Sequence, residues 1–165
     1  MSARRPRKLP AGLAAAILGV WLALACSSYS DDGTGPGREL RQAGLDAARA
    51  QWEDAGIESY RWTVRRGCFC PIEYNRPVIV RVERGVKTAV TDVETGEPVS
   101  AQRASQYPTV EGLFDIIQAA IDHEADRLEV SYDSAFGYPR EVFIDQEIYA
   151  VDEEQTYEGS GLQPD

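Results

Sequence analysis

The sequence predicts an α+β domain: one antiparallel sheet of about five strands with two helices packed on one face, in the order helix, three strands, helix, two or three strands. Apolar residues recur at helical spacing in two stretches and alternate with polar ones in several others. The strand runs are joined by hairpin-length links. Strands and helices do not alternate one by one, as a doubly wound parallel sheet requires. The composition, 43% hydrophobic and 27% charged over 165 residues, is that of an ordinary globular chain.

The elements follow in order. Arg38 to Ala55 lacks proline, is rich in alanine and spaces Leu45, Ala48 and Trp52 as one helical face, with Gly56 placed as a stop. Tyr60, Trp62 and Val64 alternate with Arg61, Thr63 and Arg65 in the first strand, which Gly67-Cys-Phe-Cys-Pro71 breaks. Pro77–Arg84 and Val86–Val93 are the next two strands, turned tightly at Arg84-Gly85. A break at Glu94–Pro98 and a polar connector, Ser100–Tyr107, lead to the second helix. That helix starts after Thr109 as N-cap and carries Val110, Leu113, Phe114, Ile117, Ala120 and Ile121 on one stripe. Strands at Arg127–Tyr132 and about Glu141–Asp145 flank the turn-rich loop Asp133–Pro139. The acidic, glycine-rich end predicts a short edge strand and then a loose tail.

The expected domains are therefore a signal peptide at 1–25, a lipidated cysteine and flexible linker at 26–37, one α+β domain at 38–158, and a loose C-terminal tail at 159–165. In the leader, Arg4, Arg5, Arg7 and Lys8 precede the apolar run Ala11–Ala25, which is too short for a spanning helix and suits a signal h-region. Leu22-Ala-Leu-Ala-Cys26 resembles the bacterial lipoprotein signal, with Ala23 where leucine is usual. The other reading is a plain secretory signal cut after Ala25, leaving Cys26 a free thiol. Ser27–Gly37 is rich in Ser, Gly and Asp, a composition suited to a tether with a reach on the order of 20 Å. Usage of 15 Arg to 2 Lys points to a GC-rich, bacterial source.

Beyond the leader, 13 Lys and Arg face 27 Asp and Glu, a balance that excludes a phosphate-backbone ligand. If Cys26 carries lipid, Cys68 and Cys70 remain as a pair around Phe69. Three readings stay open for the pair: a local structural disulfide, two idle thiols, or a redox or metal role. Thioredoxin-type C-x-x-C spacing is absent, and His123 is the only histidine available to complete a zinc site.

The residues Tyr60-x-Trp62, Cys68-Phe-Cys70, Pro108-Thr-Val-Glu-Gly-Leu-Phe114, Gly137-Tyr-Pro139 and Asp152-Glu-Glu154 together resemble a family of small bacterial lipoproteins and secreted proteins. That family is known as a domain of unknown function. The likeness spans roughly residues 56–158 and implies an exported α+β domain, without an activity or substrate.

No catalytic residue is assigned. His123 lies off the apolar stripe, and His123-Glu-Ala-Asp-Arg127 lacks the second histidine of a zinc protease motif. Gly159-Ser-Gly161 lacks a nucleophile elbow's flanking elements. No phosphate loop, calcium loop, metal site or cofactor is expected, and the acid clusters read as solvated charge runs. The candidate binding surface consists of Phe69, Phe136 and Tyr138 in turns and of Arg61, Arg65 and Arg81 on the polar strand face. Each aromatic alternatively plugs the sheet, and each arginine is alternatively neutralised by Glu83, Glu129 and other acids.

The expected function is that of an exported, membrane-anchored lipoprotein facing the periplasm or cell exterior. It presents a non-catalytic binding domain to an envelope protein or small ligand. The alternative is an envelope thiol-redox factor or other enzyme using Cys68 and Cys70.

Overall fold

The computed structural model describes residues 36–165. The expected signal peptide, Cys26 and most of the expected linker lie outside the described residues.

Helix α1 (Pro36–Asp54) buries Leu45, Ala48 and Trp52, the three residues at i, i+3 and i+7. Strand β1 (Tyr60–Gly67) alternates buried Tyr60, Trp62 and Val64 with outward residues, and β2 (Val78–Glu83) does the same with Val78, Val80 and Val82. A 3-10 turn at Ile72–Asn75 lies between them. The hairpin from β2 to β3 (Val86–Asp92) has Arg84 and Gly85 both at positive φ, 50° and 75°, which matches the right-handed strand twist. The polar connector contains a one-turn helix, α2 (Ala101–Ala104), capped by the Ser100 hydroxyl. Helix α3 (Val110–Asp122) starts at Thr109, whose hydroxyl accepts the Gly112 N–H at 3.1 Å, and buries the expected stripe. Strands β4 (Arg127–Tyr132), β5 (Pro139–Asp145) and β6 (Gln155–Pro164) complete the fold.

The six strands form one antiparallel sheet in the order β3-β2-β1-β6-β5-β4. It is two three-stranded meanders joined through the first and last strands, β1 and β6. The inward strand residues and the inner stripes of α1 and α3 make one core, in which the Trp62 ring meets Tyr138 edge-on and Trp52 meets Tyr60 likewise. Among the described residues, the opposite sheet face carries the outward side chains and no helix.

The sheet has six strands, the upper end of the expected order of helix, three strands, helix, two or three strands. One expectation is corrected: residues 159–165 are not a loose tail. Most of that segment lies in β6, at the centre of the sheet, and the Asp165 N–H reaches the Ser59 carbonyl at 3.0 Å. The reason is steric. Gly159 stands against Trp62, and a Cβ there would lie 2.5 Å from the indole and 2.6 Å from the Pro139 carbonyl oxygen. The inward position of this strand is filled by a neighbour's ring, so its own sequence shows no apolar alternation. A bulge opposite Trp62, with Gly161 at φ 61°, shifts the register between Arg61 and Thr63 and hides the strand pattern further.

Candidate functional site

One end of the sheet gathers most of the unusual chemistry. The registers Gly67↔Thr156, Val78↔Asp92 and Arg127↔Asp145 place the C-termini of β1, β3 and β5 beside the N-termini of β6, β2 and β4. The last turn of α3 is at this end too, since the Gln146 side-chain amide donates to the His123 carbonyl at 2.8 Å. So is the first turn of α1, where Arg38 pairs with Glu124 at 3.3 Å and Asp122 at 3.7 Å.

Two loops form the tip. In the first, Cys68 and Cys70 are joined by a disulfide around Phe69. Asn75 braces the ring: its Oδ1 accepts the Cys68 N–H at 3.0 Å, and its Nδ2 donates to the Cys68 carbonyl at 3.3 Å and the Cys70 carbonyl at 3.5 Å. The Cys70 N–H also reaches the Cys68 carbonyl at 2.9 Å. With the ring this short and its inner side occupied by Asn75, the middle side chain projects outward, and Phe69 is 80% exposed beside Ile72 at 71%. The second loop joins β5 to β6. Its backbone is held by Asp126 Oδ2, which accepts the Ile148 N–H at 2.7 Å, and by the Glu153 carboxylate on the Glu147 N–H. Its apolar side chains point away, with Tyr149 95% and Val151 82% exposed.

Two buried acids lie behind this tip. Asp92 accepts the Arg103 guanidinium at 2.8 Å and the N–H groups of Glu94 and Thr95 at 2.9 and 3.2 Å. The arginine bond, chiefly, holds the Asp92 carboxyl below its ordinary range against the opposing effect of burial. A group whose folded pKa is depressed stabilises above its unfolded pKa and loses that contribution as pH falls through the folded value. The stability gap between the native chain and Asp92→Asn is therefore expected to shrink as pH falls from neutrality into the carboxylate range. Thermal melts against pH test this; a gap independent of pH means that the carboxylate charge does not contribute. Asp145 is the converse case. Its Oδ1 has no hydrogen-bond partner among the described residues, and burial, then Glu154, Glu153 and Asp126, push its carboxyl up. Among the described residues, no group of three or more His, Cys, Asp or Glu side chains is placed to hold a metal ion.

The residues singled out from the sequence separate. Phe69 is on the surface. Tyr138 is in the core against Trp62, and Phe136 is partly buried beside it, so Tyr138 does not belong to a binding surface. Their loop is a structural clamp: Asp133 Oδ1 accepts the Ala135 and Phe136 N–H groups, each at 2.9 Å, and Gln51 donates to the Ser134 carbonyl at 3.0 Å. Arg61, Arg65 and Arg81 do share the open sheet face, and each meets an acid. Arg65 pairs with Glu158 at 3.1 Å, Arg61 with Asp165 at 4.0 Å, and Arg81 with Glu83 at 2.9 Å and Asp165 at 3.6 Å. Glu129 instead serves Arg127, at 2.8 Å. These pairs are half-exposed and add little stability, but they neutralise the basic cluster. His123 is exposed at the C-cap of α3.

Ile72, Ile148, Tyr149 and Val151 escaped sequence reasoning. Ile148, Tyr149 and Val151, set among Glu147, Asp152, Glu153 and Glu154, have neither strand nor helix period, so no element pattern marks them. Three large apolar side chains within four loop positions were the available signal.

The sequence matches, over residues 44–164, the family described as "Family of unknown function (DUF6174)". The chain belongs to that family. The DUF6174 region runs from the middle of α1 to the last residue of β6, so it takes in the glycine-rich C-terminal segment. Both tip loops, the disulfide and the open sheet face fall inside it. No curated protein and no solved structure matches the chain.

Proposed function

We propose that this DUF6174 protein is an exported bacterial lipoprotein, anchored through Cys26, whose α+β domain is a non-catalytic interaction module at the cell envelope. The observation that carries the reading is the Cys68–Cys70 disulfide, taken with the basic and apolar leader that ends at Cys26. Disulfides persist in oxidising compartments, and the leader is the kind that delivers a chain to one. The non-catalytic half is supported by the single histidine, which is exposed at the C-cap of α3. The interaction half is supported by the apolar tip and by a charged sheet face on which no helix of the described residues packs.

The test is the intact mass of the protein expressed with its own leader, with and without reduction before thiol alkylation. The expected species begins at Cys26, carries acyl chains, and takes up alkylating agent at two sites only after reduction. An unacylated mass with free thiols overturns the proposal and makes Cys68 and Cys70 the first place to look for chemistry.

A further inference from the structure

Among the described residues nine large apolar side chains are exposed, and only Ile79 and Val86 lie away from the end of the sheet that carries the disulfide loop. Val86 closes the opposite hairpin, and Ile79 sits on the open face. Phe69 and Ile72 project from one loop, Ile148, Tyr149 and Val151 from the next, and Leu40 from the first turns of α1. The loops adjoin because β1 and β6 are paired neighbours, with Gly67 opposite Thr156. The side chains of the two loops are tips on braced backbone at the same end of the sheet, whereas Leu40 lines a shallow groove with Ile117, Leu128 and Tyr132.

The chain also enters the domain at this end. Pro36 begins α1 beside the C-terminus of α3, and Cys26 lies ten residues earlier in the sequence. Ten residues span at most about 35 Å even when fully extended. A lipid on Cys26 would attach the domain through the apolar end and not through the Val86 end. Tyr149 suits the headgroup boundary, where an apolar ring and a polar hydroxyl are both accommodated, and Phe69 supplies an apolar ring to the acyl side of it.

We infer that this end of the domain seats directly on the lipid surface, with Phe69 and Tyr149 entering the interface. The inference rests on the anchored reading above and names the partner of its apolar tip. The surface it fits is a zwitterionic one. Glu147, Asp152, Glu153 and Glu154 flank the tips, and carboxylates there are repelled by anionic headgroups. The open sheet face then stands off the membrane, free for other partners.

The experiment uses the full chain expressed with its own leader, presented to phosphatidylcholine vesicles with brominated acyl chains. Phe69→Trp and Tyr149→Trp report the tip, Val86→Trp reports the far end, and the emission of the parent chain is subtracted. The expected result is a blue shift and loss of emission for the two tip reporters, none for Val86→Trp, and less loss when phosphatidylglycerol replaces part of the phosphatidylcholine. Tip reporters quenched no more than Val86→Trp overturn the inference and leave a protein partner as the occupant of the tip. Intact mass of the same preparation keeps the two proposals apart. An acylated protein without tip quenching overturns only the seating. An unacylated protein overturns the anchor, and tip quenching by the added vesicles still decides the seating.

Discussion

Tyr60→Phe is expected to cost about 2–4 kcal/mol of stability, although it removes a single oxygen. Tyr60 is fully buried, and its hydroxyl is the joint between three elements. It donates to the Glu111 carboxylate at 2.7 Å and accepts the Val110 N–H at 2.9 Å, so it supplies one of the acceptors that the first turn of α3 lacks. The other oxygen of Glu111 accepts the Trp52 indole N–H of α1 at 3.2 Å. Burial and the Glu111 charge push the phenol well above its ordinary pKa, so it remains a donor throughout the accessible pH range. Phenylalanine would leave a buried N–H unpaired and remove a charge-assisted bond, and unmade bonds of this kind cost more than made ones return. Urea denaturation at neutral pH measures the loss. A change below about 1 kcal/mol would mean that water takes the hydroxyl's place and that the joint is not a source of stability.

Gly137→Ala is expected to cost about 3 kcal/mol or more, the sum of left-handed backbone strain and a steric clash. Gly137 has φ 78°, and a Cβ on it would run into the Ala48 carbonyl oxygen of α1 and lie 3.0 Å from Gln51 Cβ. Neither neighbour yields cheaply, because one is helix backbone and the other is the first atom of a helical side chain. Gly56→Ala is the internal control. Gly56 has φ 61° with nothing within 4 Å of the added methyl, so it bears the backbone strain alone, about 1–2 kcal/mol. The difference between the two melting shifts isolates the close approach of the loop to α1. Equal shifts would show that the loop moves off the helix without penalty. The same geometry accounts for the Gly-Tyr-Pro sequence: the glycine lets the loop lie on α1, Tyr138 is thereby carried into the core, and Pro139 opens β5.

The α+β class, both long helices, the three-strand meander after α1 and the Arg84-Gly85 hairpin are all legible in the sequence. Each of these is written in a local period or a turn that one segment carries alone. Leu45, Ala48 and Trp52 mark a helix face wherever that helix packs, and Val78, Val80 and Val82 mark a buried strand face in the same way. The Cys68-Phe-Cys70 turn was legible too, but not the direction of its ring. That Phe69 faces out while Tyr138 faces in is set by tertiary packing, because Asn75 fills the inner side of one loop and Trp62 receives the aromatic of the other. Packing also makes the glycine-rich end the central strand β6, since Gly159 leaves its inward space to a Trp62 ring ninety-seven positions earlier. The pairing of Arg61 and Arg81 with Asp165 and the gathering of Phe69 with Tyr149 at one end have the same cause. Local periods record which face of a segment is buried, whereas a surface is assembled from ends and outward residues of different strands, and which strands are neighbours is set by packing across the whole sheet.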